Sequence, residues 1–132
     1  MRAFREAIEK LDLDSAEALL APDVVFTSPV VFKPYAGKAI TAAILRAVSE
    51  VFQDFRYVRE INDVNGRDHA LVFAARVGDR EISGCDFIHV DEDGLIDEFT
   101  VMVRPLSAAQ ALAAAMGEQF ERIAEEARTR PV

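Results

Sequence analysis

Residues 55–103 contain four segments in which apolar and polar side chains alternate, and this pattern constrains the fold more than any other feature. The segments are FRYVREI (55–61), HALVFAARV (69–77), REISGCDFIHV (80–90) and LIDEFTVMV (95–103). Short links rich in Gly, Asn and Asp separate them, and such links join neighbouring antiparallel strands. The pattern therefore predicts a four-stranded antiparallel meander.

Helical periodicity precedes the predicted meander. Phe4, Ala7, Ile8 and Leu11 fall on one face of a first helix. The D-x-x-E pair of Asp14 and Glu17 resembles a capping box and predicts a second, short helix that ends at Pro22. The segment VVFTS (24–28) predicts a strand, and residues 29–36 are predicted to form a loop. A longer helix is predicted to begin at Lys38.

A last helix is predicted after the meander. Ser107 is expected as its N-cap, and an apolar stripe runs through about residues 108–128. The element order is then α-α-β-α-β-β-β-β-α, which predicts an α+β fold in which one curved antiparallel sheet packs on helices. At 132 residues, the chain is expected to form a single domain over 1–132.

Charge and cysteine content exclude several classes of partner. The net charge of −8 would repel nucleic acid and anionic membranes, and no segment is apolar enough to span a bilayer. Cys85 is the single cysteine, so the chain has no internal disulfide. We therefore expect a cytoplasmic protein with no nucleic-acid or membrane partner.

Asp86 stands out because it interrupts the apolar run GCDFIHV. Strand alternation places it on one face with Gly84 and Ile88, whereas Cys85 and His89 lie on the other. A carboxyl group among apolar neighbours loses hydration, which raises its pKa and suits it to acid/base chemistry. The alternative is structural: Asp86 pairs with Arg76 or Arg104, or with the backbone. The residue pattern favours neither.

The other polar candidates have ordinary explanations. Cys85 and His89 are four residues apart, or ~13 Å along a strand, so they cannot form a direct thiolate–imidazole pair. His69 and His89 lack the local spacing of metal ligands and are expected to be surface or interface histidines. In DEDG, the glycine falls at the fourth position instead of the sixth, so the segment is a turn and not a calcium loop. We expect no metal and no cofactor.

The string TSPVVFKPYAGKAI, the preceding LLAPDVVF and the hairpin DEDGLIDEFTV resemble the nuclear transport factor 2-like superfamily. That superfamily includes SnoaL-like polyketide cyclases and ketosteroid isomerase. The resemblance covers about residues 3–106 and implies a cone-shaped, cystatin-like α+β roll, here with an extra C-terminal helix. The fold hosts enzymes, binding modules and transport adaptors, so it does not by itself imply an activity.

The resemblance to ketosteroid isomerase can be followed at three positions. The general-base aspartate of the isomerase corresponds to Ser28, and its helix-one tyrosine corresponds to Phe4. Its second aspartate, which an apolar site keeps neutral, corresponds to Asp86. A serine hydroxyl cannot remove a carbon-bound proton near pH 7 without an activating base. The usual two-aspartate-plus-tyrosine mechanism is therefore not expected.

Strand parity, combined with the family's fold, predicts an apolar cavity with Asp86 as catalytic group. Its expected substrate-binding residues are Phe4, Leu20, Phe26, Ser28, Phe73, Phe99, Val101 and Val103, and Leu71 and Ala75 are expected to face inward with them. Each of these could equally be plain core. The expected ligand is a small, mostly apolar, cyclic molecule.

The sequence is compatible with an enzyme and with a non-catalytic protein. If the protein is an enzyme, a cofactor-independent isomerase, cyclase or lyase suits a single tunable carboxyl group. The alternative is a non-catalytic ligand-binding or interaction domain. It would form a homodimer through the convex sheet face that carries Cys85, Phe87 and His89, because dimers across this face are common in the families that the sequence resembles.

Overall fold

A computed structural model describes residues 1–129. The helices are α1 (Arg2–Glu9), α2 (Leu13–Ala18), α3 (Lys38–Val51) and α4 (Leu106–Thr129). The strands are β1 (Leu20–Thr27), β2 (Tyr35–Ala36), β3 (Gln53–Asn62), β4 (Asp68–Val77), β5 (Arg80–Val90) and β6 (Ile96–Arg104). None of these helices is long and apolar enough to cross a membrane.

The predicted meander is confirmed, because β3, β4, β5 and β6 pair in sequence as antiparallel neighbours. Gly66, Gly78 and Gly94 adopt positive φ angles in the three links, a backbone conformation that glycine reaches without steric cost. The full sheet has the order β2-β1-β6-β5-β4-β3. β1 joins it through a parallel pairing with β6, which alternation within single strands could not reveal.

Several predicted boundaries move once tertiary contacts are present. Asp12, not Asp14, caps α2, because its carboxylate accepts a hydrogen bond from the Ser15 N–H at 3.2 Å. Asp14 and Glu17 instead bind the Arg46 guanidinium on α3. Their spacing thus serves an ion pair between helices.

Three further details differ from the sequence expectation. Pro22 does not end α2, since it lies within β1, where the pairing with β6 shifts register. Ser107 is the second residue of α4 and not its N-cap. Leu11 lies beyond α1 with a φ of 56° and is 65% exposed, so it does not continue the buried helix face.

The core lies between the helices and one face of the sheet. Its largest fully buried side chains include Phe4 on α1, Leu20 on β1, Leu71 and Phe73 on β4, and Phe99 on β6. A second cluster joins Ala75, Val77 and Ile82 to Ala108 and Leu112 of α4. The alternation of buried and less buried residues along β4 confirms the predicted face, because every second residue from His69 to Val77 is buried.

Gly84 allows the ring of Phe73 to pack against β5 beside Asp86. A Cβ atom at this position would lie 2.5 Å from Phe73 Cζ and 2.6 Å from the carbonyl oxygen of Met102. The second contact is with backbone, which cannot rotate away as a side chain can. Gly84 is therefore required by close packing.

Gly84→Ala is expected to lower the free energy of unfolding by about 1–3 kcal/mol, the usual cost of overpacking a core. Urea unfolding measures it. Ser83→Ala, on the opposite face of the same strand, is the control and is expected to change stability by less than about 0.5 kcal/mol. Equal stability of the two variants would contradict the close approach of Phe73.

Candidate functional site

A cavity of about 630 Å³ lies between the sheet and the helices, and Asp86 is part of its wall. Six of the predicted pocket residues line it with Asp86: Phe4, Phe26, Ser28, Phe73, Phe99 and Val101. Leu20 and Val103 are not among the described residues that line the cavity. Leu20 is fully buried in the core, and Val103 packs against both core clusters. Leu71 and Ala75 are also buried in the core.

Aromatic rings form much of the cavity wall. Phe52, Phe55 and Phe73 form one group, in which Phe55 stacks on each of the other two with ring centroids 5.7 and 5.0 Å apart. Phe99 contacts Phe4 and Phe26, each at 5.5 Å between centroids. All six of these phenylalanines line the cavity, so a bound molecule would meet mainly apolar surface.

The cavity opens to solvent past exposed apolar residues. Leu11, between α1 and α2, is 65% exposed, Val31 is 42% exposed, and Phe120 on α4 is 54% exposed, and all three line the cavity. We call these three residues the cavity mouth. An apolar molecule that enters the cavity from solvent would contact these three apolar side chains on the way in.

Asp86 is only 6% exposed, and β5 points it toward the cavity as strand parity predicted. The phenol of Tyr57 on β3 donates a hydrogen bond of 2.7 Å to Asp86 Oδ2. Within residues 1–129, no hydrogen-bond partner occupies Oδ1. Loss of hydration raises the pKa of Asp86 to about 7, although the Tyr57 hydrogen bond acts in the opposite direction.

Neither arginine considered from the sequence pairs with Asp86. Arg76 donates to Asp54 Oδ2 from Nε at 3.0 Å and from Nη2 at 2.7 Å. Arg104 is exposed at the end of β6, opposite Ser83. Among residues 1–129 the hydrogen-bond partner of the Asp86 carboxyl is a neutral phenol, and no positive charge from that part of the chain compensates it.

Tyr57 is the site residue that sequence reasoning missed. Burial and the neighbouring Asp86 carboxyl raise the pKa of Tyr57 well above its ordinary value, so the phenol keeps its proton. The position that corresponds to the isomerase tyrosine is Phe4, yet a phenol reaches the carboxyl from another element. The sequence did contain one indication of this residue: Tyr57 lies two positions from Phe55, so both aromatic side chains fall on one face of β3. The pairing with Asp86 was hidden because the register of β3 shifts on both sides of Tyr57.

Ser28 lies at the cavity wall, but its hydroxyl is engaged by the backbone. The N–H groups of Val30 and Val31 donate to Ser28 Oγ at 3.1 and 3.3 Å. These bonds form a turn at the start of the loop after β1. Ser28, at the position that corresponds to the general base of the isomerase, therefore stabilises this turn through its hydroxyl oxygen.

The two histidines are more constrained than expected. His69 is buried rather than at the surface, with Nδ1 near Asn62 Oδ1 at 2.5 Å and Nε2 near the Gly66 carbonyl oxygen at 3.0 Å. His89 Nδ1 lies 2.6 Å from Asp97 Oδ1, and this hydrogen bond raises the pKa of His89.

Glu98 joins His89 and Asp97 across β5 and β6, and the ligand atoms of the three residues lie within 4.8 Å of one another. Spacing along the chain could not show this group, because its members come from different strands. Carboxylates and an imidazole are possible metal ligands. The His89–Asp97 hydrogen bond already accounts for the arrangement.

Burial of Asp86 predicts a pH-dependent stability. Its folded-state pKa of about 7 exceeds the ordinary 3.8, so the folded protein holds this proton more tightly than the unfolded chain. The resulting stabilisation is complete below about pH 4 and is lost as the pH rises to about 7. Three pKa units correspond to about 4 kcal/mol at most.

Asp86→Asn should remove this dependence while keeping an acceptor for Tyr57. We expect the variant to gain up to about 4 kcal/mol relative to the wild-type protein between pH 4 and pH 8, measured by urea unfolding. Asp54→Asn, which removes an exposed carboxyl group, is the control. The same pH dependence in the wild-type protein and Asp86→Asn would contradict a desolvated Asp86.

Comparison with known proteins gives matches over most of the chain. The SnoaL-like domain family matches residues 1–99, and no curated protein matches. A steroid delta-isomerase from Pseudomonas aeruginosa is 46% identical with a TM-score of 0.84, covering 89% of this chain and 85% of that one.

Two other solved structures support the same fold. A bacterial protein with a cystatin-like fold from Silicibacter pomeroyi is 36% identical with a TM-score of 0.84, covering 95% of this chain and 92% of that one. An NTF2-like protein from Burkholderia xenovorans is 21% identical with a TM-score of 0.64, covering 83% and 90%. The fold and the family predicted from the sequence are thus confirmed, and the chain belongs to the SnoaL-like domain family.

Proposed function

We propose that this SnoaL-like domain is an enzyme that binds a small, mostly apolar, cyclic carbonyl compound and acts on it with Asp86 as acid/base. Isomerisation, cyclisation and dehydration all suit a single carboxyl group that exchanges its proton near neutral pH. The observation that carries the proposal is a carboxyl group that is 6% exposed, lies on the wall of a 630 Å³ cavity and has no cationic partner among the described residues.

The hydrogen bond from Tyr57 defines how the carboxyl group would work. Tyr57 donates to Oδ2, so the proton of neutral Asp86 belongs on Oδ1, where it can be donated to a ligand oxygen. After ionisation, Oδ1 becomes an acceptor for a proton of the ligand. Tyr57 is a positioning residue in this scheme, since it acts through Asp86.

The remaining wall supports an apolar ligand. The seven phenylalanines that line the cavity offer rings rather than hydrogen bonds. One polar anchor in an apolar pocket of this size is common in small-molecule sites. The other carboxylates that line the cavity are already engaged: Glu9 lies 3.5 Å from the Arg5 guanidinium, and Asp54 binds Arg76.

The steroid delta-isomerase relative suggests a class of probe. A 3-ketosteroid is apolar, cyclic and carries a carbonyl oxygen, so it meets the requirements of this cavity. The relative's activity does not transfer directly, since Ser28 stands where ketosteroid isomerase has its base and is held by two backbone N–H groups. We therefore propose the ligand class and the acid/base group without the two-aspartate mechanism.

Binding of a 3-ketosteroid measured by calorimetry at several pH values tests the proposal. Neutral Asp86 donates to the ketone, so we expect wild-type affinity to fall by up to about tenfold per pH unit above pH 7. In Asp86→Asn the affinity should not depend on pH, and any turnover should fall by about 10²-fold or more. Asp79→Asn, which removes an exposed carboxyl group that does not line the cavity, should behave like the wild-type protein.

Two results would contradict the proposed role. The first is a wild-type affinity that does not change between pH 6 and pH 8.5. The second is turnover by Asp86→Asn at the wild-type rate.

A second candidate function, a dimeric interaction domain, is favoured by one observation on the convex sheet face. Phe87 is 43% exposed and Met102 is 59% exposed on neighbouring strands of that face, and Cys85 lies between them. Burial of this surface against a second copy would stabilise a homodimer. The open cavity is compatible with this assembly, which would then be a dimeric ligand-binding protein.

Sedimentation equilibrium tests the homodimer. We expect a two-chain mass for the wild-type protein and a one-chain mass for Phe87→Glu, because a charge in the interface would lose its hydration. Val64→Glu is the control, since Val64 is fully exposed in the link between β3 and β4. A wild-type monomer would remove this proposal and leave the cavity proposal intact.

A further inference from the structure

One face of α4 forms a wall of the cavity. Ala113, Met116, Gly117 and Phe120 line it, at the i, i+3, i+4 and i+7 spacing of a single helical face. This wall lies beyond residue 99, where the match to the SnoaL-like domain family ends. The C-terminal helix therefore contributes to the shape of the cavity from outside the matched region.

Gly117 breaks the local preference of this helix. Glycine is among the least favourable residues in a helix interior, and Gly117 lies near the middle of α4 (Leu106–Thr129). Its φ angle is not positive, so the backbone does not need glycine there. Apart from the adjacent residues and the nearby backbone of α4, no atom of residues 1–129 lies within 4 Å of a Cβ atom built at this position, so packing does not require glycine either.

Gly117 is exposed to solvent and lines the same cavity as Asp86, so the open space beside it is part of that cavity. Oδ1 of this buried side chain has no hydrogen-bond partner in the part of the chain that the structure describes. Positions that contradict local propensity without a packing reason are expected at functional or strained sites.

We propose that Gly117 determines the size of the ligand, because its missing side chain leaves room on α4 for an apolar ring distant from the polar group at Asp86. The inference rests on the proposed function and deepens it. Met116 and Phe120 flank this room, so the part of the ligand that occupies it is apolar.

Two probes of different length test the inference. A tetracyclic 3-ketosteroid should reach α4, whereas the bicyclic ketone decalone should bind near Asp86 without reaching it. Gly117→Leu is expected to lower the affinity for the steroid at least tenfold and to change the affinity for decalone less than twofold. Ala114→Leu is the matched control, since Ala114 is exposed on α4 and is not among the lining residues; it should change neither affinity.

Thermal unfolding of Gly117→Ala without ligand separates this role from a structural one. Alanine is the better helix former, so the Tm should rise or stay the same. A lower Tm would show that the glycine serves the fold and would overturn the inference. Equal steroid affinity of Gly117→Leu and the wild-type protein would also overturn the inference. In that case, loss of affinity for the steroid and for decalone in Asp86→Leu would still support the proposed function.

Binding of neither probe by the wild-type protein would contradict the proposed function and this inference together. Equal loss of both probes in Gly117→Leu would contradict the inference alone, because a general disturbance of the cavity does not select by ligand length.

Discussion

The chemistry proposed for this protein depends on one hydrogen bond, from the Tyr57 phenol to the buried carboxyl group of Asp86. A carboxylate in an apolar wall is costly unless it is paired or neutralised. Here the partner is neutral, so the balance favours the protonated acid up to a pH of about 7. An arginine in place of Tyr57 would have held the pKa low and removed the acid/base character.

The architecture serves this interaction at several points. The antiparallel meander brings β3 and β5 to opposite sides of β4, and the curvature of the sheet allows Tyr57 to reach Asp86 across it. Gly84 leaves space for the Phe73 ring on the same face of β5. The helices close the other side, so the carboxyl group is shielded from water by the same residues that line the cavity.

The meander and the orientation of Asp86 could be predicted because a strand has a side-chain period of two. β5 was predicted with the bounds that the structure has, Arg80–Val90. The pairing with Tyr57 could not be predicted, since β3 shifts register on both sides of that residue, and two interruptions remove the simple relation between position and face. The group formed by His89 and Asp97 was missed for a related reason: it joins two strands, whereas sequence spacing describes only one.

The direct test of this account is the titration of the Asp86 carboxyl carbon by ¹³C NMR in the wild-type protein, with Asp86→Asn to assign the signal. A midpoint near pH 7 is the result that a desolvated acid bonded to a neutral phenol requires. A midpoint below pH 4 would mean that water or a cation stabilises the carboxylate, and it would contradict the acid/base role of Asp86.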